Sequence, residues 1–223
     1  MYPVAACRGR SSSGNTYDPL GTVYTYTSSN TFEPNLPVGS VLSVEVLSDG
    51  SSGGVGNLTL AGRGGASGGI AGGTTVLIAG AYDVYFSSGA KFSDPDTTQL
   101  VYVKDAEGST GALTDSNILT DPWDYAGTDG TAGDTNVDGY GSGGSGAPTA
   151  AGAGAAGQNG TDGRLGGLDG NNNPSGGDGA DDASGNGSSA VGYGGGGGGG
   201  GRNSGEVGAS GGPRVKIVVL SYS

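Results

Sequence analysis

Alternation of apolar and polar positions is confined to two parts of the chain. In VGSVLSVEVLSDG, residues 38–50, Val44 and Val46 fall on one side while Ser43 and Glu45 fall on the other. A period of two is the signature of a strand with one buried face. TVYTYTSS at 22–29 is rich in Thr, Tyr and Val, which suit a pleated surface. NLTLAG at 57–62 follows a glycine turn and reads as a further short strand. TTVLIAGAYDVYFSSG at 74–89 predicts two short strands around Gly80, and TQLVYVKDAEG at 98–108 predicts another that runs into a turn. No segment combines a helical period with caps. The first half therefore predicts an antiparallel structure of about six strands. RVKIVVLSYS at 214–223 has the same strand-forming character and ends the chain.

The stretch between these parts cannot bury much apolar surface. Of the 37 Leu, Ile, Val and Phe residues, 27 lie in residues 1–125 and only 5 in residues 126–213. Glycine dominates instead, and its spacing carries information. Gly127, Gly130 and Gly133 recur at every third residue, as do Gly154, Gly157, Gly160, Gly163 and Gly166, and again Gly205, Gly208 and Gly211. A polyproline-II helix has three residues per turn, so this spacing gives it an edge free of side chains. Collagen shares the period but needs long uninterrupted triplets with abundant Pro. Here Pro is nearly absent from the triplets and the phase slips at RLGGLDG. The pattern predicts short polyglycine-II helices whose outward N–H and C=O groups satisfy one another. Each such bond contributes about 0.5–1.5 kcal/mol net, against about 1–2 kcal/mol to order each residue. Such a bundle is marginal alone and needs bracketing structure. RVKIVVLSYS supplies it by pairing with the N-terminal strands; left exposed, VKIVVL would promote aggregation.

The expected fold class is thus all-β with irregular structure. A small antiparallel core in the N-terminal half, completed by a C-terminal strand, encloses a glycine-rich bundle of polyglycine-II helices. Residues 1–21 form an attachment arm, 22–125 the β-rich core with an acidic aromatic loop, 126–213 the glycine region and 214–223 the closing strand.

Charge and composition narrow the function. Nine basic residues stand among 21 acidic ones, for a net charge of −12. Nucleic-acid binding relies on clustered Lys and Arg, and only GRGG at 62–65 hints at such a tail. No apolar run reaches the ~18–20 residues needed to span a bilayer. MYPVAACRGRSSSG lacks the charged and apolar regions of a secretory signal, so synthesis in a cytoplasm without signal-peptide export is expected. The lone Cys7 offers no intrachain disulfide. With no His in the chain, Ser-His-Asp triads and His-based metal sites are excluded. GAGAAG at 152–157 fits a dinucleotide-binding spacing but lacks the strand and helix that motif requires. The carboxylates lie in loops without a cleft, so no enzymatic activity is expected.

Two features are candidate sites. Asp134, Asn136 and Asp138, followed by Gly139, match the start of a calcium loop, although its twelfth position is Ser145 and no helices flank it. GGDGAD at 176–181 is a single copy of a glycine-aspartate calcium repeat. Calcium is the one cofactor these signals suggest. The second candidate is the group Trp123, Asp124, Tyr125 and Tyr140, where aromatic residues beside acids suit stacking on sugar or docking to protein. The competing role for Trp123 is to cap the core.

YTYTSSNTFEPNLPVGSVLSVEVLSDGSSGG resembles the opening of the glycine-rich domains at the tips of bacteriophage tail fibres. GASGGPRVKIVVLSYS resembles their close, and the likeness runs over about residues 22–223. It implies the fold of the tail-fibre adhesins of T-even-like phages, in which a sandwich of polyglycine-II helices presents variable loops to host receptors. It also implies a location on the virion surface, with a host surface glycan or outer-membrane protein as partner. Other virion or fibre subunits, including a homo-oligomer, are expected neighbours; nucleic acid and membrane insertion are not. The acidic stretch at 105–140 and the N-terminal arm depart from the family. The alternative is a purely structural virion decoration or extracellular filament subunit. Ice binding, known for other polyglycine-II bundles, ranks below both.

Overall fold

A computed structural model of the chain describes residues 17–106, 113–131, 140–158, 165–203 and 205–223. Among these residues the structure is all-β, with two five-stranded antiparallel sheets and no helix. The strands are β1 (Val23–Tyr26), β2 (Asn30–Phe32), β3 (Val41–Leu47), β4 (Ile70–Val76), β5 (Tyr82–Phe86), β6 (Gly89–Ser93), β7 (Leu100–Lys104), β8 (Leu113–Ser116), β9 (Thr120–Tyr125) and β10 (Arg214–Ser221). Sheet A has the order β1-β10-β3-β4-β9, and sheet B the order β2-β5-β6-β7-β8.

The alternation in β3 is what joins the sheets. Leu42, Val44 and Val46 are buried, as are Val215, Ile217 and Val219 of the neighbouring β10. They meet Val84, Phe92, Val101 and Val103 of sheet B in one core cluster. Aromatic rings fill its centre: Tyr82 and Phe92 stack at 5.0 Å, and Phe32 meets the edge of Tyr24 at 5.0 Å. The buried Tyr82 hydroxyl accepts from Ile78 N at 2.8 Å, so the core contains a satisfied polar group.

The closing strand lies in the interior of sheet A. β10 pairs antiparallel with β1 along Tyr26–Val215 and with β3 along Leu47–Arg214, so first and last strands are neighbours as expected. Residues 17–21 are fastened to the sheet, with Gly21 N donating to Val219 O at 2.8 Å and the Tyr222 hydroxyl donating to Asp18 O at 2.6 Å. Cys7, Arg8 and Arg10 lie outside the described residues.

Four sheet A strands continue into the glycine region in the same order. Residues 205–211 lead into β10, 50–56 leave β3, 61–68 lead into β4 and 127–131 leave β9. Pairing persists between them but its period changes. Gly53 N donates to Gly208 O and Gly50 N to Gly211 O; Gly54 N donates to Arg63 O and Ser51 N to Ala66 O; Gly64 N donates to Thr131 O and Ser67 N to Thr128 O. Each partnership recurs at every third residue. A strand spends its donors on two flanking neighbours in one plane; a three-residue repeat points them in three directions.

The buried run 194–201 uses all three directions. Gly196 and Gly199 donate to Ser145 and Ser142, Gly197 and Gly200 to Ser51 and Gly54, Gly198 and Gly201 to Ser188 and Gly185. Its carbonyls accept from Gly62, Gly65 and Gly68, from Gly177 and Ala180, and from Gly205, Gly208 and Gly211. Among the described residues, six segments therefore surround this run: 51–54, 62–68, 142–145, 177–180, 185–188 and 205–211. Each is bonded to the next, so the ring closes. Segment 140–147 is enclosed in the same manner by 62–65, 196–199, 177–180, 165–170 and 154–158, with Ser145 Oγ donating to Asp129 O of 127–131.

Glycine is required there by the approach of neighbouring backbone. A Cβ on Gly198 would fall on the Asp178 carbonyl, and one on Gly197 on the Gly208 carbonyl, in each case closer than the 3.0 Å that real Cβ atoms respect.

Candidate functional site

Trp123, Asp124 and Tyr125 were expected on a loop, but they occupy β9, the edge strand of sheet A. The register sets Trp123 opposite Gly72 and Tyr125 opposite Ile70. Gly72 in turn faces Glu45, on the side of sheet A away from Val44 and Val46. The two rings therefore sit on the outer face, 6.2 Å apart and tilted at 45°. Trp123 lies over Gly72, where a Cβ would meet its ring. It caps no part of the core cluster. Asp124 is exposed between the rings' positions, on the opposite side of the strand. Tyr140 is not part of this group: it begins the buried segment 140–147, and has no ring contact among the described residues.

β9 escaped notice because an edge strand pairs on one side only. Asp121, Pro122 and Asp124 break any apolar alternation, yet Pro122 lacks a donor that an edge strand need not supply. Asp121 has φ 50 and a bulge lies opposite Gly72–Thr74, which absorb the misfit.

Asp134, Asn136 and Asp138 fall outside the described residues. Among the residues described, no three His, Cys, Asp or Glu side chains gather to hold a metal ion. In GGDGAD, Asp178 has a structural task, with Oδ1 accepting from Gly166 N at 2.7 Å. Residues 152–157 belong to a glycine-region segment with neither strand nor helix beside them. No helix of the described residues is long and apolar enough to cross a membrane.

The far end of the glycine region carries the turns that sequence reading passed over. Residues 50–56 run away from the sheet and 61–68 return, so 57–60 is a far turn rather than the short strand expected of NLTLAG. Asn57 Oδ1 accepts from Thr59 N at 2.9 Å and Leu60 N at 2.9 Å, a side-chain-made turn that leaves Leu58 86% exposed. Residues 202–203 and 181–185 turn at the same end, and Asn203 N donates to Ala183 O at 2.5 Å. Gly56, Asn57, Leu58, Arg202 and Asn203 line a hollow of about 360 Å³ between two of these turns. The usable signal was Asn57 beside Gly56, where an Asn side chain competes with strand pairing.

No protein-family model matches the chain, and no curated protein is similar to it in sequence.

Proposed function

We propose that this chain is a non-enzymatic bacteriophage virion surface protein, a tail-fibre tip adhesin that binds a host-cell surface receptor. Its glycine region is a bundle of short polyglycine-II helices, and the bundle is a rigid mount for the turns at its far end. The observation that carries this reading is the run 194–201, ringed by six bonded segments and continued by the turn at 202–203. The three-way rotation of its donors is what a threefold helix without internal bonds requires. A mount held by backbone bonds leaves the turn side chains free to vary, as recognition of different receptors demands. Leu58 and Asn203 offer an apolar and a polar contact there. The receptor is a glycan or protein of the bacterial outer surface. The Trp123–Tyr125 pair is a second contact surface at the sheet end.

Binding of the labelled protein to a panel of bacterial cells tests the proposal. Saturable binding to a subset of strains is expected. Leu58→Ser lowers it at least tenfold with the thermal midpoint unchanged. Loss instead on Trp123→Ala with Tyr125→Ala places the contact at the sheet end. Binding to no strain, by a chain that still joins its particle, overturns the adhesin reading in favour of a structural decoration.

A further inference from the structure

The solvent face of sheet B carries a groove that the far-end turns do not share. Tyr85 is registered opposite Lys91, and Lys91 opposite Tyr102, so a Tyr–Lys–Tyr row crosses β5, β6 and β7. The adjacent Val84, Phe92 and Val101 are buried in the core, which turns this row outward. Tyr85 is 53% exposed. The Tyr102 ring is anchored by its hydroxyl, which donates to Ser88 O at 3.0 Å. Beside Lys91 lies a groove of about 460 Å³ whose lining includes Asn30, Thr31, Asp83, Ser93 and Thr97. On the other side of Lys91 a hollow of about 280 Å³ is bounded by Leu100 and Tyr102. Tyr85 and Lys91 line both, so the two form one continuous surface.

Ser93 supplies the second observation. It is fully buried, it lines the groove, and its hydroxyl has no hydrogen-bond partner among the described residues. Buried hydroxyls are nearly always paired; this one has no accessible surface, so a ligand's polar atom reaches it when the side chains over it part. The wall above it is already fixed: Asp94 accepts from Thr98 Oγ1 at 2.9 Å and from Gln99 N at 3.0 Å, holding the turn that contains Thr97. Apart from that movement the groove is preformed, which limits the ordering needed to occupy it.

Its chemistry selects the ligand. The groove itself brings one cation, Lys91, and one carboxylate, Asp83. Lys91 makes no ion pair among the described residues, where Arg214–Glu45 is the pair formed. A balanced donor and acceptor beside tyrosine rings and hydroxyls matches a neutral sugar ring. Its C–H face stacks on an aromatic ring while its hydroxyls exchange bonds with charged groups. A phosphate or acidic sugar would meet Asp83 and a chain of net charge −12. A flat apolar protein surface would leave Ser93 and Lys91 unsatisfied.

We propose that this groove binds a neutral hexopyranose unit of a glycan, with Tyr85 as the stacking platform and Lys91, Asp83 and Ser93 as hydroxyl partners. The proposal does not rest on the far-end turns, and either surface can fail alone. The test is an array of neutral and anionic oligosaccharides probed with the full chain, followed by titration with the neutral hexose and N-acetylhexosamine oligosaccharides retained. Neutral glycans are expected to bind. Tyr85→Ala and Asp83→Asn each lower the affinity at least fivefold with the thermal midpoint unchanged, whereas Gly212→Ala, with nothing within 4 Å of its new Cβ, has no effect. Asp83 is exposed, so its variant remains informative if Tyr85→Ala fails to fold. Absence of glycan binding, retention of anionic glycans only, or full affinity in Asp83→Asn overturns the proposal.

Discussion

Gly198 and Gly212 are the same residue with opposite tolerances. A Cβ on Gly198 would strike the Asp178 carbonyl, and neither backbone can yield without breaking the ring of bonds around it; at Gly212 nothing lies within 4 Å. Gly198→Ala is expected to lower unfolding stability by at least the ~1–3 kcal/mol of an overpacked core. Gly212→Ala should stay within about 0.5 kcal/mol, as a surface change does; chemical denaturation of both variants checks the contrast. Asp49 is the residue at which pH enters. Burial raises its pKa above the ordinary 3.8, with Asp105 adding to the rise and the Ser210 hydroxyl and Gly50 N–H opposing it. Because the native state holds this proton more tightly than the unfolded chain, the stability Asp49 contributes is full below 3.8 and is lost as pH rises through the native value. Asp49→Asn keeps an oxygen to accept from Ser210 and carries no charge. Its thermal midpoint at pH 7 is therefore expected to equal or exceed that of the parent chain, and to vary less across the acid range. A lower midpoint at pH 7 would show that the carboxylate's hydrogen bonds outweigh its burial.

At the scale of elements, β10 bears the most. It lies between β1 and β3, and its residues Val215, Ile217 and Val219 are in the core that both sheets share. Removing residues 214–223 leaves β1 without a partner and opens β3. The truncated chain is expected to lose cooperative thermal unfolding altogether, rather than a strand's share of stability. β9 makes a gentler prediction. Gly72 provides the floor on which the Trp123 ring rests, so Gly72→Ala lifts the ring while leaving the pairing of β4 and β9 in place. Trp123 is the chain's one tryptophan, so its fluorescence reports the change directly. A red-shifted emission with little loss of stability is expected; unchanged emission would mean the ring does not rest on Gly72.

For the whole molecule, the sheets and the glycine region stand or fall together. Segments 50–56, 61–68, 127–131 and 205–211 are continuous with β3, β4, β9 and β10, so neither part ends where the other begins. The sheets bury large apolar side chains, whereas the glycine region is held mainly by backbone bonds, each worth about 0.5–1.5 kcal/mol. Ordering costs more than that per residue, so the glycine region depends on the sheets for its register. Amide exchange of residues 194–201 is therefore expected to be as slow as that of β3 and β10, with one shared opening step. Exchange within seconds across 194–201, while β3 stays protected, would separate the two and count against the proposed role of the glycine region as a rigid mount.

The sequence by itself determined whatever depends on near neighbours along the chain. Alternation in 38–50 identifies β3 and its buried face, because a period of two commits a strand to one core. The apolar close at 214–223 demands a partner, and the period-three glycines mark where backbones touch: Gly205 and Gly208 meet Gly185 and Ser188 as the spacing implies. Tertiary structure alone decided which segments meet. The order in which six segments surround 194–201 follows from turns and sheet register, and glycine carries no side chain that encodes a partner. The same reason explains β9, whose polar residues read as a loop until β4 offers an edge, and Tyr140, which lies near Trp123 in sequence and joins a different segment in space. It also explains the groove of sheet B. Tyr85, Lys91 and Tyr102 belong to three strands, and only their cross-strand register brings them into one row.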